Sequence, residues 1–215
     1  MELTLSRETL CFERLALSQR EQVSVEGEAT LPGSMRDAVT VLSVQAQAYL
    51  EKAEAVAGGV MLKGHVSFQA LYTQGDLTRI RAMETTCDFE HSIEAQEATP
   101  DMRVNASVAV QETEGTAVSG RMTLRALLDI QAEAFETTRQ ELVTDAGGEN
   151  ALRTQKQTIA FCRTAPLGED KTLVREEFDL PARLEVGDVL SATGEASVSE
   201  LTGGAGRIGI CGTVE

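Results

Sequence analysis

Val60-Met61-Leu62-Lys63-Gly64-His65-Val66-Ser67-Phe68-Gln69-Ala70-Leu71-Tyr72 is the stretch that decides the fold. Val60, Leu62, Gly64, Val66, Phe68, Ala70 and Tyr72 fall at every second position. Successive side chains of a strand point to opposite faces, so this spacing predicts a long strand with one apolar face. Upstream, Val44, Ala46, Ala48 and Leu50 alternate with Gln45, Gln47, Tyr49 and Glu51. Ala57-Gly58-Gly59 lies between the two runs, and glycine permits the tight reversal. The pair reads as a hairpin.

The alternation continues outward from there. Gln74-Gly75-Asp76 is the next predicted turn, leading into Leu77–Met83 and then Cys87–Ile93. Pro100-Asp101 opens a third section, in which Val104, Ala106, Val108 and Val110 alternate. Glu114-Gly115-Thr116 is read as its turn. A long segment over 117–135 follows. Met122, Leu124, Ala126, Leu128, Ile130, Ala132 and Ala134 fit a strand, whereas Leu124, Leu127 or Leu128, and Phe135 also fit a helical stripe. We read it as strand, because it then completes a hairpin. Gly33–Thr40, after Leu31-Pro32, reads as one helical turn with Ser34 as N-cap. The predicted class is all-β: an antiparallel sandwich or barrel-like domain with long hairpins and one short helix.

The chain also repeats itself. Thr9, Phe12, Arg14, Ala16, Val25, Glu28, Leu31 and Pro32 recur 149 positions later, up to Leu180-Pro181. One deletion changes the offset to 148. Val41-Leu42-Ser43 then falls on Val189-Leu190-Ser191, Ala48 on Ala196, Ala57-Gly58 on Ala205-Gly206, Gly64 on Gly212 and Val66 on Val214. These sixteen identities span about 55 positions, where composition alone gives roughly three or four. The expected organisation is a complete domain over 1–140, a linker over 141–152 centred on Thr144–Glu149, and the opening part of a second copy over 153–215. An unfinished sheet invites pairing with another strand.

Composition narrows the function. Trp is absent and aromatic residues make up 4%, so aliphatic side chains must fill the core. The net charge of −15 disfavours nucleic acid, whose binding needs cations that neutralise phosphates, and anionic membranes for the same reason. Met1-Glu2-Leu3-Thr4-Leu5 has no basic and apolar leader pattern, and no apolar run approaches the ~20 residues of a membrane helix. The expectation is a soluble protein made in the cytoplasm. Cys11, Cys87, Cys162 and Cys211 are scattered, without the local pairing that zinc sites use, so no metal and no cofactor is expected.

Motifs that suggest chemistry do not survive their context. Gly204-Ala205-Gly206-Arg207-Ile208-Gly209 has the G-x-G-x-x-G spacing of a dinucleotide loop. Such a loop must open a helix, and Ile208–Val214 reads as a strand, so this is a hairpin turn. His65 and His91 lack a local partner that would orient a catalytic imidazole. A carboxylate pair for glycoside cleavage would want aromatic platforms, which are scarce here. Asn105-Ala106-Ser107 is a glycosylation sequon inside a predicted strand. No catalytic residue is assigned.

The run Val23–Tyr72 resembles the SPOCS domain of SipL-type spore morphogenesis proteins of spore-forming Firmicutes. The resemblance rests on Leu31-Pro32, Val41-Leu42-Ser43, the turn at Gly58-Gly59, Gly64 and Leu71-Tyr72, with Arg121 opening the closing strand. The second copy repeats it at Leu180-Pro181, Val189-Leu190-Ser191 and Gly212. No LysM-like segment accompanies it. The resemblance implies a role in assembling the spore envelope in the mother cell, by contact with other envelope proteins or with copies of itself. It implies no catalytic residues. The rival expectation is a carbohydrate-binding or cell-wall-associated β domain.

Overall fold

A computed structural model describes residues 3–32, 39–75, 79–148, 189–204 and 206–215, together with 155, 157–158, 160, 172–177 and 179. The chain divides into two compact units, Met1–Pro166 and Leu167–Glu215. Every regular element among the described residues is a strand.

The first unit holds β1 (Leu3–Thr30), β2 (Val39–Val56), β3 (Gly59–Gln74), β4 (Ile80–Glu94), β5 (Arg103–Val118) and β6 (Arg121–Gly148). They form two antiparallel three-stranded sheets, ordered β1-β6-β5 and β2-β3-β4. The central strands β3 and β6 supply most of the core between them. Val60, Leu62, Val66, Phe68 and Ala70 from β3, and Met122, Leu124, Ala126, Leu128, Ile130, Ala132 and Ala134 from β6, are wholly buried. These are the two alternating sets picked out in the sequence, and 117–135 is strand rather than helix wherever it is not turn. A strand flanked by partners on both edges already satisfies its backbone. Burying one face then contributes about 1.5–3 kcal/mol per large side chain, which overrides the helix propensity of Ala, Leu and Gln.

The flanking strands reach the same core with interruptions. Leu42 and Glu51 in β2, Gln111 in β5 and Ala16 in β1 have no opposite number and form bulges. Each bulge shifts the inward set by one residue. In β2 the residues packed on the core run Val39, Val41, then Val44, Ala46, Ala48, Leu50, then Ala53.

The two seams between sheets are closed by side chains. At one, Thr113 Oγ1 donates to the Val44 carbonyl at 2.8 Å. A Cβ on Gly115 would lie 2.5 Å from Val44 Cγ2, so glycine lets β5 approach β2. At the other, Cys87 Sγ donates to the Glu26 carbonyl at 3.0 Å, and His91 Nε2 lies 2.8 Å from Glu21 Oε2.

Three expectations are corrected. Glu114-Gly115-Thr116 is not a turn. The reversal comes at Ser119 and Gly120, both with positive φ (49° and 81°), while Gly115 is mid-strand for the packing reason just given. Thr144–Gly148 is not linker but the end of β6, because Leu3–Ser6 offers it a ladder. Leu77–Met83 and Cys87–Ile93 are not separate: Ile80–Glu94 is one strand. The helical turn assigned to Gly33–Thr40 falls largely outside the described residues, and its last two residues open β2.

In the second unit, β7 (Ala196–Gly204) and β8 (Arg207–Val214) form an antiparallel hairpin. The G-x-G-x-x-G segment spans its reversal, with Gly206 at φ 77°.

Candidate interaction surface

Strands β1 and β6 are far longer than the sheet that shares them. Strand β5 begins pairing at Arg103, opposite Phe135. Beyond that point Glu136–Gly148 pairs only with Leu3–Arg14. A two-stranded arm of about 13 residues, roughly 40 Å at strand rise, therefore continues past the sandwich. Both of its outer edges carry backbone donors and acceptors with no strand partner among the described residues. Leu5, Phe12 and Val143 are exposed on it. A bare two-stranded ribbon is marginal in water, so the arm gains from a third strand or a covering surface.

The base of the arm is fastened by one arginine. Arg103 donates from Nε and Nη2 to the two Glu13 carboxylate oxygens, both at 2.9 Å, and from Nη1 to Asn105 Oδ1 at 2.6 Å. Its guanidinium carbon sits 4.5 Å from the centroid of the Phe135 ring. One side chain thus ties the first residue of β5 to both arm strands where the third strand stops, beside the Ala16 bulge. Along the arm, Arg14 pairs with Glu136 at 2.6 Å and Arg7 with Glu141 at 3.1 Å. Below the base, Arg20 Nε donates to both oxygens of Asp129, at 2.7 and 2.9 Å. Exposed pairs of this kind add little stability, but they hold the register of a polar ribbon.

These pairs perturb titration. The hydrogen bond from Arg103 holds Glu13 below its ordinary 4.5. Arg20 does the same for Asp129, below its ordinary 3.8. A depressed carboxylate stabilises the fold fully above its unfolded value, and that contribution disappears as pH falls through the lower folded value. Thermal stability of the first unit should therefore be flat from pH 7 to about 5 and fall below about 4.5. A Glu13→Gln, Asp129→Asn double variant should show a shallower acid limb in a melting series.

The two histidines meet single carboxylates. His65 Nδ1 lies 2.7 Å from Glu51 Oε1, and its ring stacks on Tyr49 with centroids 5.0 Å apart. His91 bridges to Glu21 at the seam. A cavity of about 130 Å³ beside the Ala16 bulge is lined by Leu17, Ala95, Gln96, Glu97, Ala98 and Met102. Neither histidine is part of that lining. Cys11, Cys87 and Cys211 are free thiols, and burial raises the pKa of Cys87. Cys162 lies outside the described residues.

The motif residues of the first unit lie at a strand end, a bulge, a turn and a close strand contact. Leu31 is buried, and its N–H donates to the Gly120 carbonyl at 2.9 Å, so Leu31-Pro32 ends β1 against the β5–β6 turn. Val41 and Ser43 flank the bulged Leu42, which points outward and is 45% exposed. Gly58, at φ 84°, makes the β2–β3 turn. Gly64 lies under the Phe89 ring. In the second unit Val189, Leu190 and Ser191 are described but not in a strand, and Leu180 and Pro181 lie outside the described residues.

Gly212 behaves like Gly64. A Cβ would meet the Ser197 carbonyl oxygen at 2.2 Å, as one on Gly64 would meet that of Tyr49 at 2.1 Å. The correspondence extends to the whole hairpin. All eight ladder pairs of β7–β8, from Ala196↔Val214 to Gly204↔Arg207, match pairs of β2–β3, from Ala48↔Val66 to Val56↔Gly59, at the offset of 148. Ser199 is skipped as Glu51 is. Every residue of β7 and β8 is exposed.

The sandwich, its bulged flanking strands and its glycine turns define an all-β domain. Residues 37–118 match the protein-family model described as SipL, SPOCS domain. The match covers β2 to β5 and supports the resemblance drawn from the motifs there, at Val41-Leu42-Ser43, Gly58-Gly59, Gly64 and Leu71-Tyr72. No curated protein and no solved structure matches the chain. The arm, formed wholly by segments outside the matched residues, is a feature of the structure alone. The apolar alternation after Arg121 stops at Ala134, before the arm begins, and so gave no signal of it.

Proposed function

We propose that this is a structural protein of the bacterial spore envelope, acting in coat assembly by protein–protein contact and not by catalysis. The observation that carries the reading is the arm, a long strand pair whose outer edges have no strand partner among the described residues, beside a stretch that matches a spore-protein domain model. Its partners are other envelope proteins and copies of itself, joined by strand addition. Its place is the mother cell, at the forespore surface. Strong acidity keeps such a surface soluble until a partner arrives.

A fluorescent fusion in sporulating cells tests this. The wild-type chain should ring the forespore. A Phe12→Lys, Val143→Lys variant, whose lysines blunt the ribbon, should stay diffuse although folded. Light scattering should show mass rising with concentration for the wild type and a monomer for the variant. Diffuse wild-type fluorescence together with a strict monomer would overturn the reading.

A further inference from the structure

The β6 edge of the arm is bounded from within the chain. Strand β5 covers β6 as far as Phe135, and the bulged Thr144 interrupts the ladder further on. The segment that leads into β5 is engaged elsewhere. Ala95 N–H donates to the Gly58 carbonyl at 2.9 Å, and Gly58 N–H donates to the Ala98 carbonyl at 3.1 Å. Residues 136–144 are thus a regular stretch of strand with no partner on that edge among the described residues. We propose that its occupant is the same stretch of a second copy, paired antiparallel about a two-fold axis at Gln140. The inference rests on the interaction role proposed above, and it adds which edge pairs, with what, and in which register.

Two independent observations select this axis. The first is length. In a two-fold antiparallel pair, opposed residues lie at equal distances from the axis. A pairing that uses the whole stretch, from the end of β5 to the bulge, has its axis at the midpoint, which is Gln140. Glu136 then lies opposite the partner's Thr144. The bulge bends the incoming strand where it would otherwise run into Arg103, the first residue of β5.

The second is charge. An axis at Gln140 sets Arg139 opposite the partner's Glu141, and Glu141 opposite the partner's Arg139, on one face of the sheet. Opposite charges directly across a ladder stabilise it, and like charges destabilise it. Moving the axis by one residue would place Arg139 on the partner's Arg139, or Glu141 on the partner's Glu141. Arg139 is exposed, lies across from Cys11 on β1, and has no ion pair among the described residues. Glu141 accepts from Arg7 Nη1 on Oε2 at 3.1 Å, which leaves Oε1 for a second cation.

The remaining pairs agree with this register. Thr137 meets the partner's Val143, and Thr138 meets the partner's Leu142. Val143 is 54% exposed before pairing. β-Branched and aliphatic side chains suit a half-covered sheet surface. The joined arms make a four-stranded sheet, β1-β6-β6-β1, which removes the weakness of a bare two-stranded ribbon.

The test mixes two charge variants of the whole chain, under reducing conditions at low salt. The wild type should dimerise in sedimentation equilibrium. Arg139→Glu alone and Glu141→Arg alone should each weaken the dimer about tenfold or more, because each sets like charges across both central pairs. An equimolar mixture of the two variants restores opposite charges at both pairs, and it should recover dimer at the wild-type level. Unchanged melting temperatures exclude unfolding as the cause. Independently, an oxidised Gln140→Cys chain should cross-link residue 140 to residue 140, as read by peptide mass spectrometry. Thr138→Cys should not, since its counterpart lies about 14 Å away along the strand. A wild-type chain still monomeric at about 100 μM overturns the proposal. A mixture no more dimeric than its components also overturns it, as does a Thr138→Cys cross-link as efficient as that of Gln140→Cys. A monomer that still rings the forespore would remove this pairing and leave the envelope role standing. A dimer in this register with diffuse fluorescence would do the reverse.

Discussion

Gly64→Ala should destabilise the first unit by about 3 kcal/mol or more, among the largest effects of any single substitution here. The added methyl would stand 2.1 Å from the Tyr49 carbonyl oxygen and 2.9 Å from two atoms of the Phe89 ring. The first contact is with backbone, which no rotamer change relieves. Strand β2 must withdraw from β3, or β4 must lose its ring packing. Gly58→Ala is the informative control. It meets nothing within 4 Å, but it sits at φ 84°. Its cost is conformational only, about 1–2 kcal/mol. Exchange rates of the slowest β3 and β6 amides in the two variants separate the effects. A Gly64→Ala loss no greater than that of Gly58→Ala would show that the seat is not tight.

Phe68→Ala should cost about 3–5 kcal/mol, from lost transfer energy and the cavity left behind. Phe68 is wholly buried on the inner face of β3. It reaches across to β1, where a Cβ on Gly27 would lie 3.4 Å from its Cε2. Its removal therefore loosens both the core and the β1–β4 seam. Phe12→Ala, on the arm and 37% exposed, should change stability by no more than about 0.5 kcal/mol. Denaturation midpoints read on the β6 amides compare the two. Equal effects would mean that the arm is packed as the core is.

The contrast between these phenylalanines shows how far the sequence could be read. Phe12 lies in a stretch without regular alternation, Leu10-Cys11-Phe12-Glu13-Arg14-Leu15. Phe68 lies in a run whose alternation is unbroken over thirteen residues, as does Leu128, and both runs turned out to be central strands. The flanking strands were harder, because Leu42, Glu51 and Gln111 each shift the inward phase by one. A bulge looks like an error in alternation until its partner strand is known. Gly115 was misread for a related reason: a glycine that makes a turn and one that admits a neighbouring strand are the same letter. Thr144–Gly148 has the composition of a linker, and only the ladder offered by Leu3–Ser6 makes it strand.

The motif residues followed the same division. Leu31-Pro32 as a strand end and Gly58 as a turn were legible, since proline and glycine act through their own backbone. The role of Gly64 as a seat for Phe89 was not, because the ring comes from a residue 25 positions away. The arm was hidden for a different reason. Its length is the difference between β6 and β5, and that difference exists only once the two are paired.

By itself the sequence determined the all-β class, the two apolar sets of β3 and β6, the Gly58 turn and the 148-residue correspondence that places Gly212 under Gly64. Each of these depends on local spacing or on backbone preference, which a single chain segment carries alone. Only the tertiary structure decided the bulges, the seams and the arm. Those features are relations between strands distant in sequence, and an edge is free or covered according to what lies beside it in space.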